Sequence, residues 1–179
     1  MAEPSRLSTA ANRPTLLAAI GAQLRAGGGC VLPTETTYLL VTADLGSAAA
    51  RAATRLFVDT AAVRAAGYRL PPRLARLAAR YWPGPLTLTL DHPEHGPTAV
   101  RVPGHELLRA VLAAHGGPLG GRELRTADGK AATTADAATS TLGAPLPLVV
   151  DGGRTALGDA GTHVRADGAR QVVDGDRHQ

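Results

Sequence analysis

The sequence contains little of several residue types, and each shortage excludes something. Cys30 is the single cysteine, so no internal disulfide can form, which is expected of a protein in the reducing cytoplasm. Because Cys30 begins an apolar segment, we interpret it as a small buried hydrophobe rather than a nucleophile. Aromatic residues make up only 3% of the chain, so alanine, leucine and valine must fill the core.

Long apolar segments are also missing. Residues 1–13 are polar and lack the apolar centre of a signal peptide, and no apolar run approaches the length of a membrane-spanning helix. We therefore expect no membrane partner and a cytoplasmic location.

The positive charge is nearly all arginine, since Lys130 is the only lysine. A net charge of +4 and a pI of about 10.0 favour phosphate-bearing partners such as nucleotides or RNA. However, a composition rich in alanine and arginine often reflects the base composition of the genome, and the sequence shows no arginine run that would mark an RNA-binding surface. RNA binding is therefore kept as an alternative function.

A chain of 179 residues most simply forms one domain. A domain of this size buries enough surface to be stable without a disulfide or a structural metal. We expect a polar N-terminal tail over residues 1–13, the domain over residues 14–170 and a short C-terminal tail over residues 171–179.

Hydrophobic periodicity predicts an alternation of helices and short strands. The predicted helices run from Asn12 to Gly27, Ser47 to Phe57, Asp59 to Ala66, Pro71 to Tyr81, His105 to His115 and Thr133 to Leu142. The predicted strands are Cys30–Thr34, Leu39–Thr42, Leu86–Leu90, Thr98–Val102, Leu146–Val150 and two short ones around Val164 and Val172. Hairpin-joined and crossover-joined strands together indicate an α/β domain with a mixed sheet.

The segment after the first predicted strand is rich in small polar side chains. Thr34, Glu35 and Thr36 follow Pro33 directly, and Tyr38 comes two residues later. A strand that ends in such a cluster is a common floor for a small-molecule site.

Further motifs follow that segment in a fixed order. The set consists of Gly27-Gly28, Pro33-Thr34-Glu35-Thr36, Trp82-Pro83-Gly84-Pro85-Leu86-Thr87, Ala99-Val100-Arg101-Val102-Pro103 with His105, Gly117-Pro118-Leu119 and Asp151-Gly152-Gly153. Over roughly residues 14–166 this set resembles the threonylcarbamoyl-AMP synthase (YrdC/TsaC-like) family. The resemblance implies a single YrdC-like domain with a twisted mixed β-sheet flanked by helices.

The family's activity is implied by the same resemblance. Its members make threonylcarbamoyl-adenylate from L-threonine, bicarbonate and ATP, for the N6-threonylcarbamoyl modification of tRNA adenosine 37, and are described as binding double-stranded RNA. The implied ligands are thus L-threonine or a similar small molecule, ATP with magnesium, and RNA. No other cofactor and no metal site of the protein is expected.

The family's substrate-binding positions correspond here to Thr34, Glu35, Thr36, Arg101 and Thr162. The resemblance implies that Arg101 pairs with the carboxylate of the substrate. A solvated strand arginine is the alternative, because its neighbours Val100 and Val102 point to the opposite face.

Two phosphate-binding features of the family are altered. Its Lys-x-Arg segment and the Pro-Leu strand after it are predicted to be deleted, since Arg55-Leu56-Phe57 runs straight into Val58-Asp59. Arg51 and Arg55 are placed on a helix face. Its Ser-x-Asn motif corresponds to Glu123 and Arg125. A carboxylate at the first position would repel phosphate.

Three further positions depart from the family. Gly161 stands where the family has serine, Leu39 where it has glycine, and Pro97 where it has a nucleotide-contacting threonine. We therefore hypothesise a degenerate member with weak or no synthase activity, and assign no catalytic residue.

Three alternatives remain open. In the first, Arg122 and Arg125 rebuild a nucleotide site and the protein is an active enzyme. In the second, it is a non-catalytic module that binds RNA or a nucleotide. In the third, it regulates a genuine synthase.

His92 and His95, together with Asp91 and Glu94, can be interpreted either as metal ligands or as a solvated turn. The sequence has no second cluster at zinc-like spacing, which favours a solvated turn.

Overall fold

The computed structural model describes residues 6–10, 12–46, 53–140, 142, 148–167 and 170–174. Its helices are α1 (Arg13–Arg25), α2 (Thr60–Ala65), α3 (Pro72–Tyr81), α4 (Glu106–His115) and α5 (Ala135–Thr139). Its strands are β1 (Arg6–Ser8), β2 (Cys30–Pro33), β3 (Tyr38–Thr42), β4 (Thr54–Leu56), β5 (Leu86–His92), β6 (Gly96–Arg101), β7 (Leu119–Glu123), β8 (Leu148–Asp151), β9 (Thr162–Asp167) and β10 (Arg170–Asp174).

The strands form one mixed sheet in the order β1-β8-β2-β3-β7-β4-β6-β5-β9-β10. β2, β3, β7 and β4 pair antiparallel in turn, whereas β4 with β6 and β5 with β9 are parallel. The mixed sheet flanked by helices confirms the predicted fold class.

Helices cover both faces of the sheet. On one face, α1 and α4 contribute to a core with Leu32, Leu56 and Leu119. On the other, α2 and α3 pack over Leu88 and Val100 in one cluster, and α5 packs on a second. Alternate residues of each strand enter different clusters, as a period of two requires.

Most predicted elements are confirmed. In α1, Leu16, Ile20 and Leu24 are buried at helical spacing, and Asp59 caps α2 by accepting a hydrogen bond from the Ala62 N–H at 2.7 Å. Cys30 is fully buried, and burial raises the pKa of its thiol to about 12, which agrees with its interpretation as a small hydrophobe.

Two predictions about helices are wrong. The helix expected to reach Phe57 does not: 54–56 are strand β4, while 47–52 lie outside the described residues. The helix expected over Thr133–Leu142 is confined to α5, capped by the Thr134 hydroxyl.

Besides β4, two strands were not predicted. β7 contains Gly120 and Gly121, which have weak strand propensity, yet it lies between β3 and β4. β1 pairs in parallel with β8 and places Arg6–Ser8, part of the expected N-terminal tail, at the edge of the sheet. β10 likewise extends the sheet beyond residue 170.

Candidate functional site

The turn between β2 and β3 is built around the hydroxyl group of Thr34. That oxygen donates to the Thr37 carbonyl at 2.7 Å and accepts from the backbone N–H groups of Thr36 and Thr37, each at 3.1 Å. Thr34, Thr36 and Thr37 are all buried. The hydroxyl of Thr34 therefore fixes the turn and faces its own backbone.

Glu35, at the tip of this turn, is paired with Arg101 at the end of β6. The Nη2 of Arg101 donates to Glu35 Oε1 at 2.8 Å and to the Thr36 hydroxyl at 3.2 Å. Glu35 also accepts from the backbone N–H groups of Gly104 and His105, at 2.9 and 3.1 Å. The two side chains are 16% and 7% exposed, so this is a largely buried ion pair.

A second motif orients the same guanidinium group. The Gly84 carbonyl, in the loop between α3 and β5, accepts from Arg101 Nε at 3.1 Å, and the Gly84 N–H donates to Val102 O at 2.8 Å. A Cβ atom at Gly104 would lie 3.4 Å from Gly84 Cα. Three separated motifs of the sequence thus converge on the single side chain of Arg101.

The electrostatics of Glu35 reflect this arrangement. Burial by itself raises the pKa of the carboxyl group, but attraction by Arg101 and the hydrogen bonds it accepts outweigh burial and hold the pKa below its ordinary value. Glu35 is therefore ionised near neutral pH and keeps Arg101 in place.

Arg101 also borders a cavity of about 410 Å³ on one face of the sheet. Within the described residues its Nη1 makes no hydrogen bond, and this atom lies 3.5 Å from where a Cβ on Gly161 would stand. The polar side chains that line the cavity are Thr37, Thr54, Thr87, Arg101, Glu123, Arg125 and His163.

The apolar floor of the cavity is formed by Leu39 and Leu56. Both cross over Gly121 of β7, where an added Cβ would lie 2.7 Å from Leu56 Cδ1 and 3.1 Å from Leu39 Cδ1. The absence of a side chain at Gly121, in the middle of the sheet, therefore makes room for the side chains of Leu39 and Leu56.

A second ion pair forms another wall of the cavity. Arg125 Nη2 donates to Glu123 Oε2 at 2.8 Å and Arg125 Nη1 donates to Gly129 O at 2.8 Å. The Thr37 hydroxyl donates to Glu123 Oε1 at 3.3 Å. Glu123 and Arg125, which the resemblance places at the Ser-x-Asn positions, both line the cavity.

Sequence reasoning missed His163 and Thr87. These residues are register partners on β9 and β5, and the Nε2 of His163 lies 2.8 Å from the Thr89 hydroxyl oxygen. The alternation of Leu86-Thr87-Leu88-Thr89 was the available signal, because it places both threonines on one face. Nothing in the sequence showed which strand β5 would meet.

Of the seven binding residues expected from sequence, two line the cavity, namely Arg101 and Arg125. Glu35 and Thr36 contact Arg101, and the Thr34 hydroxyl contacts that of Thr36, but none of the three is part of the lining. Thr162 does not face the cavity, because its neighbour His163 does and successive residues of a strand alternate. Arg122 likewise lies between Gly121 and Glu123, both in the lining, and points to the other face.

One part of the predicted deletion, the absence of a strand, needs correction. A strand is present there as β4, paired with β6 and β7, whereas residues 47–52 before it lie outside the described residues. Arg55 belongs to β4 and not to a helix face; it is 7% exposed and its Nη2 donates to Leu45 O at 2.8 Å. Arg51 lies outside the described residues.

Gly161 is required by a close approach of the backbone. A Cβ on this residue would lie 2.3 Å from the Pro85 carbonyl oxygen, a distance that real Cβ atoms do not show. The family's serine cannot be restored at this position without moving the loop beside Arg101.

His92 has both ring nitrogens engaged with the backbone. Its Nδ1 accepts from the Glu94 N–H at 3.1 Å and its Nε2 lies 2.9 Å from Ala66 O, while the ring stacks on His95. This arrangement explains the two histidines as a structured turn. In the described ranges, no three or more His, Cys, Asp and Glu residues are grouped so that they could hold a metal ion.

Comparison with known families and proteins gives consistent results. A model of the Sua5/YciO/YrdC family, described as "Telomere recombination", matches residues 53–173. The threonylcarbamoyl-AMP synthase of Pyrococcus abyssi (strain GE5 / Orsay) is 29% identical over 98 residues, which are 50% of this chain and 29% of that protein. The chain thus aligns with less than a third of this curated relative.

Two solved structures share the fold. The crystal structure of P. abyssi Sua5 complexed with L-threonine matches with a TM-score of 0.82 at 21% identity, covering 96% of this chain and 56% of that one. The crystal structure of E. coli YciO matches with a TM-score of 0.81 at 20% identity, covering 98% of this chain and 95% of that one.

None of the helices in the described ranges is long and apolar enough to cross a membrane.

Proposed function

The chain belongs to the Sua5/YciO/YrdC family, and on that premise we propose that it binds L-threonine, or a similar small amino acid, in the cavity beside Arg101 with little or no synthase activity. The observation that carries the proposal is the hydrogen bonding of Arg101. Glu35, Thr36 and the Gly84 carbonyl accept hydrogen bonds from its Nε and Nη2, whereas its Nη1 makes no hydrogen bond within the described residues.

The lining of the cavity suits such a ligand. A fixed guanidinium group is the preferred partner of a carboxylate. The hydroxyl of Thr87 lies on the same face, and Leu39 and Leu56 offer an apolar surface to a methyl group. In the family, the related P. abyssi Sua5 has been crystallised with L-threonine.

ATP with magnesium, implied by the family, fits this cavity poorly. A triphosphate needs several cations and neutral donors that are not already paired. Among the described lining residues, the two arginines are balanced by two carboxylates, Glu35 for Arg101 and Glu123 for Arg125. The unbonded Nη1 of Arg101 can serve one ligand carboxylate, but little net positive charge is left for a triphosphate. The carboxylate of Glu123 adds repulsion, so no adenylation step is assigned to these residues.

The proposed binding is tested by titrating L-threonine into the protein and into Arg101→Lys. Lysine preserves a charge for Glu35 but loses the planar fork, so we expect the threonine Kd to rise by about tenfold or more. Thr162→Val is the matched control, because Thr162 lies on the face away from the cavity, and its Kd should stay as in the wild type. Equal affinities in all three proteins would contradict the proposed site.

Binding of RNA without catalysis is a second candidate function, and one feature of α3 favours it. Arg73, Arg76 and Arg80 are exposed and fall within about 60° of one another around the helix. Residues 60–90 contain five arginines and no acidic residue. Such a surface complements the phosphates of an RNA backbone.

This second candidate is tested with a short RNA duplex of about 16 base pairs. We expect binding that weakens steeply with salt, and a slope of log K against log salt that falls by roughly 0.9 for each phosphate contact removed in Arg76→Gln and Arg80→Gln. Arg25→Gln and Arg109→Gln, on α1 and α4, are the controls. A salt-independent affinity would rule out the proposed phosphate contacts.

A location in the cytoplasm stays part of the proposal, on the ground of the single buried thiol of Cys30.

A further inference from the structure

Glu123 places a carboxylate on the wall of the cavity. It lies at the end of β7 in register with Leu39, and its side chain is 28% exposed. Its family counterpart is a neutral hydroxyl group, so this charge is a property of the present chain. A carboxylate in a ligand cavity selects for cationic groups and against anionic ones.

The carboxylate of Glu123 keeps capacity for a ligand. Oε2 accepts from Arg125 at 2.8 Å, whereas Oε1 accepts from the Thr37 hydroxyl at the longer distance of 3.3 Å. An ionised carboxylate offers about four acceptor positions, and these two bonds use half of them. Further donors can therefore reach Glu123 from the cavity without breaking its pair with Arg125.

Glu35, the other carboxylate of this region, differs in this respect. Its two oxygens accept from Arg101, Gly104 and His105, and it is absent from the lining of the cavity. Among the described lining residues, Glu123 is the one acidic side chain.

The turn between β2 and β3 brings the two charged groups towards each other. Arg101 contacts the hydroxyl of Thr36, and Glu123 contacts the hydroxyl of the next residue, Thr37. The cavity thus has a cationic donor, Arg101, on one side and an anionic acceptor, Glu123, on the other. The two groups contact the side chains of adjacent residues in the same turn. A zwitterionic α-amino acid carries the complementary pair of charges.

We propose that Glu123 binds the α-ammonium group of the ligand, so that the cavity selects free amino acids over amino acids whose nitrogen is acylated or absent. The assignment rests on the proposed amino-acid function, to which it adds a second contact. It also has a chemical consequence: a nitrogen held as an ammonium ion has no lone pair with which to attack bicarbonate or carbon dioxide.

The test is a calorimetric titration with L-threonine, N-acetyl-L-threonine and 2,3-dihydroxybutanoate, which replaces the amine by a hydroxyl group. We expect the wild type to prefer L-threonine to both analogues by about tenfold to a hundredfold, as for one charge-assisted hydrogen bond. Glu123→Gln should abolish the preference. Arg122→Gln, on the opposite face of the same strand, should retain it.

The outcomes separate this inference from the proposed function. Equal binding of L-threonine and its N-acetyl form by the wild type would overturn the role of Glu123 while leaving an amino-acid site in place. An unchanged preference in Glu123→Gln would do the same. If L-threonine does not bind, the same titration is made with 1-amino-2-propanol, which lacks the carboxylate. Binding of this amine that is lost in Glu123→Gln would support the ammonium contact while overturning the proposed function. No binding of the amine would overturn both.

Discussion

Replacing Glu35 by alanine is expected to lower the free energy of unfolding by about 3–5 kcal/mol, because it leaves the buried guanidinium group of Arg101 without its counter-ion. The pair is largely buried, and the backbone N–H groups of Gly104 and His105 lose their acceptor in the same substitution. Thermal or urea denaturation measures the effect, which for a chain of this length corresponds to about 6–20 °C in Tm.

Two variants separate the ion pair from general packing. Glu106→Ala removes an exposed partner of Arg13 and should cost less than about 1 kcal/mol. The double variant Glu35→Gln with Arg101→Met removes both charges and should be more stable than Glu35→Ala. If Glu35→Ala costs no more than Glu106→Ala, the proposed role of Glu35 in holding Arg101 is incorrect.

The same ion pair predicts a dependence of stability on pH. The pKa of Glu35 is lower in the folded protein than its ordinary value of 4.5, so its stabilising contribution is complete above that pH. The contribution is lost as the pH falls through the folded pKa. Glu35→Gln, which cannot titrate, should therefore show a weaker loss of stability below about pH 4.5 than the wild type.

Release of pyrophosphate that depends on threonine, bicarbonate and ATP is expected to be at least about a thousandfold slower than for the P. abyssi synthase assayed in parallel. Each charge-assisted contact to a triphosphate contributes about 1.5–3 kcal/mol, so the loss of two or three accounts for several decades of rate. The described cavity offers Arg125, already paired with Glu123, where the family offers neutral donors.

A matched variant tests whether the wall of the cavity alone causes the loss. Glu123→Ser with Arg125→Asn restores the family's residues at both positions. We expect no recovery of activity, since Lys130 is the only lysine of the chain and lies outside the altered Lys-x-Arg region. Robust turnover by the wild type, abolished in Arg125→Glu, would instead support a nucleotide site rebuilt from arginine.

The sequence was informative where a pattern is local. Alternation identified β5, helical spacing identified α1 and α4, and ordered motifs identified the family and the importance of Arg101. The partners of Arg101 could not be identified from the sequence, because Glu35 and Gly84 lie 66 and 17 residues away along the chain. No single motif states that they meet.

The missed features are those set by pairing between distant strands. β7 was not predicted, and its glycines have weak strand propensity, yet Gly121 is needed where the side chains of Leu39 and Leu56 meet. The position of His163 on the cavity was missed for a similar reason. Family correspondence pointed to Thr162, whereas the register of β9 on β5 turns His163 towards the cavity. A shift of one residue in register reverses the face of every side chain in a strand.

The central claim is that the amino-acid part of the site is retained and the triphosphate part is not. Isothermal calorimetry tests it most directly, with L-threonine and Mg-ATP titrated separately into the same wild-type protein. The account predicts a saturable threonine isotherm and no measurable binding of Mg-ATP. Tight Mg-ATP binding, with or without threonine, would contradict it and would indicate a functional phosphate site.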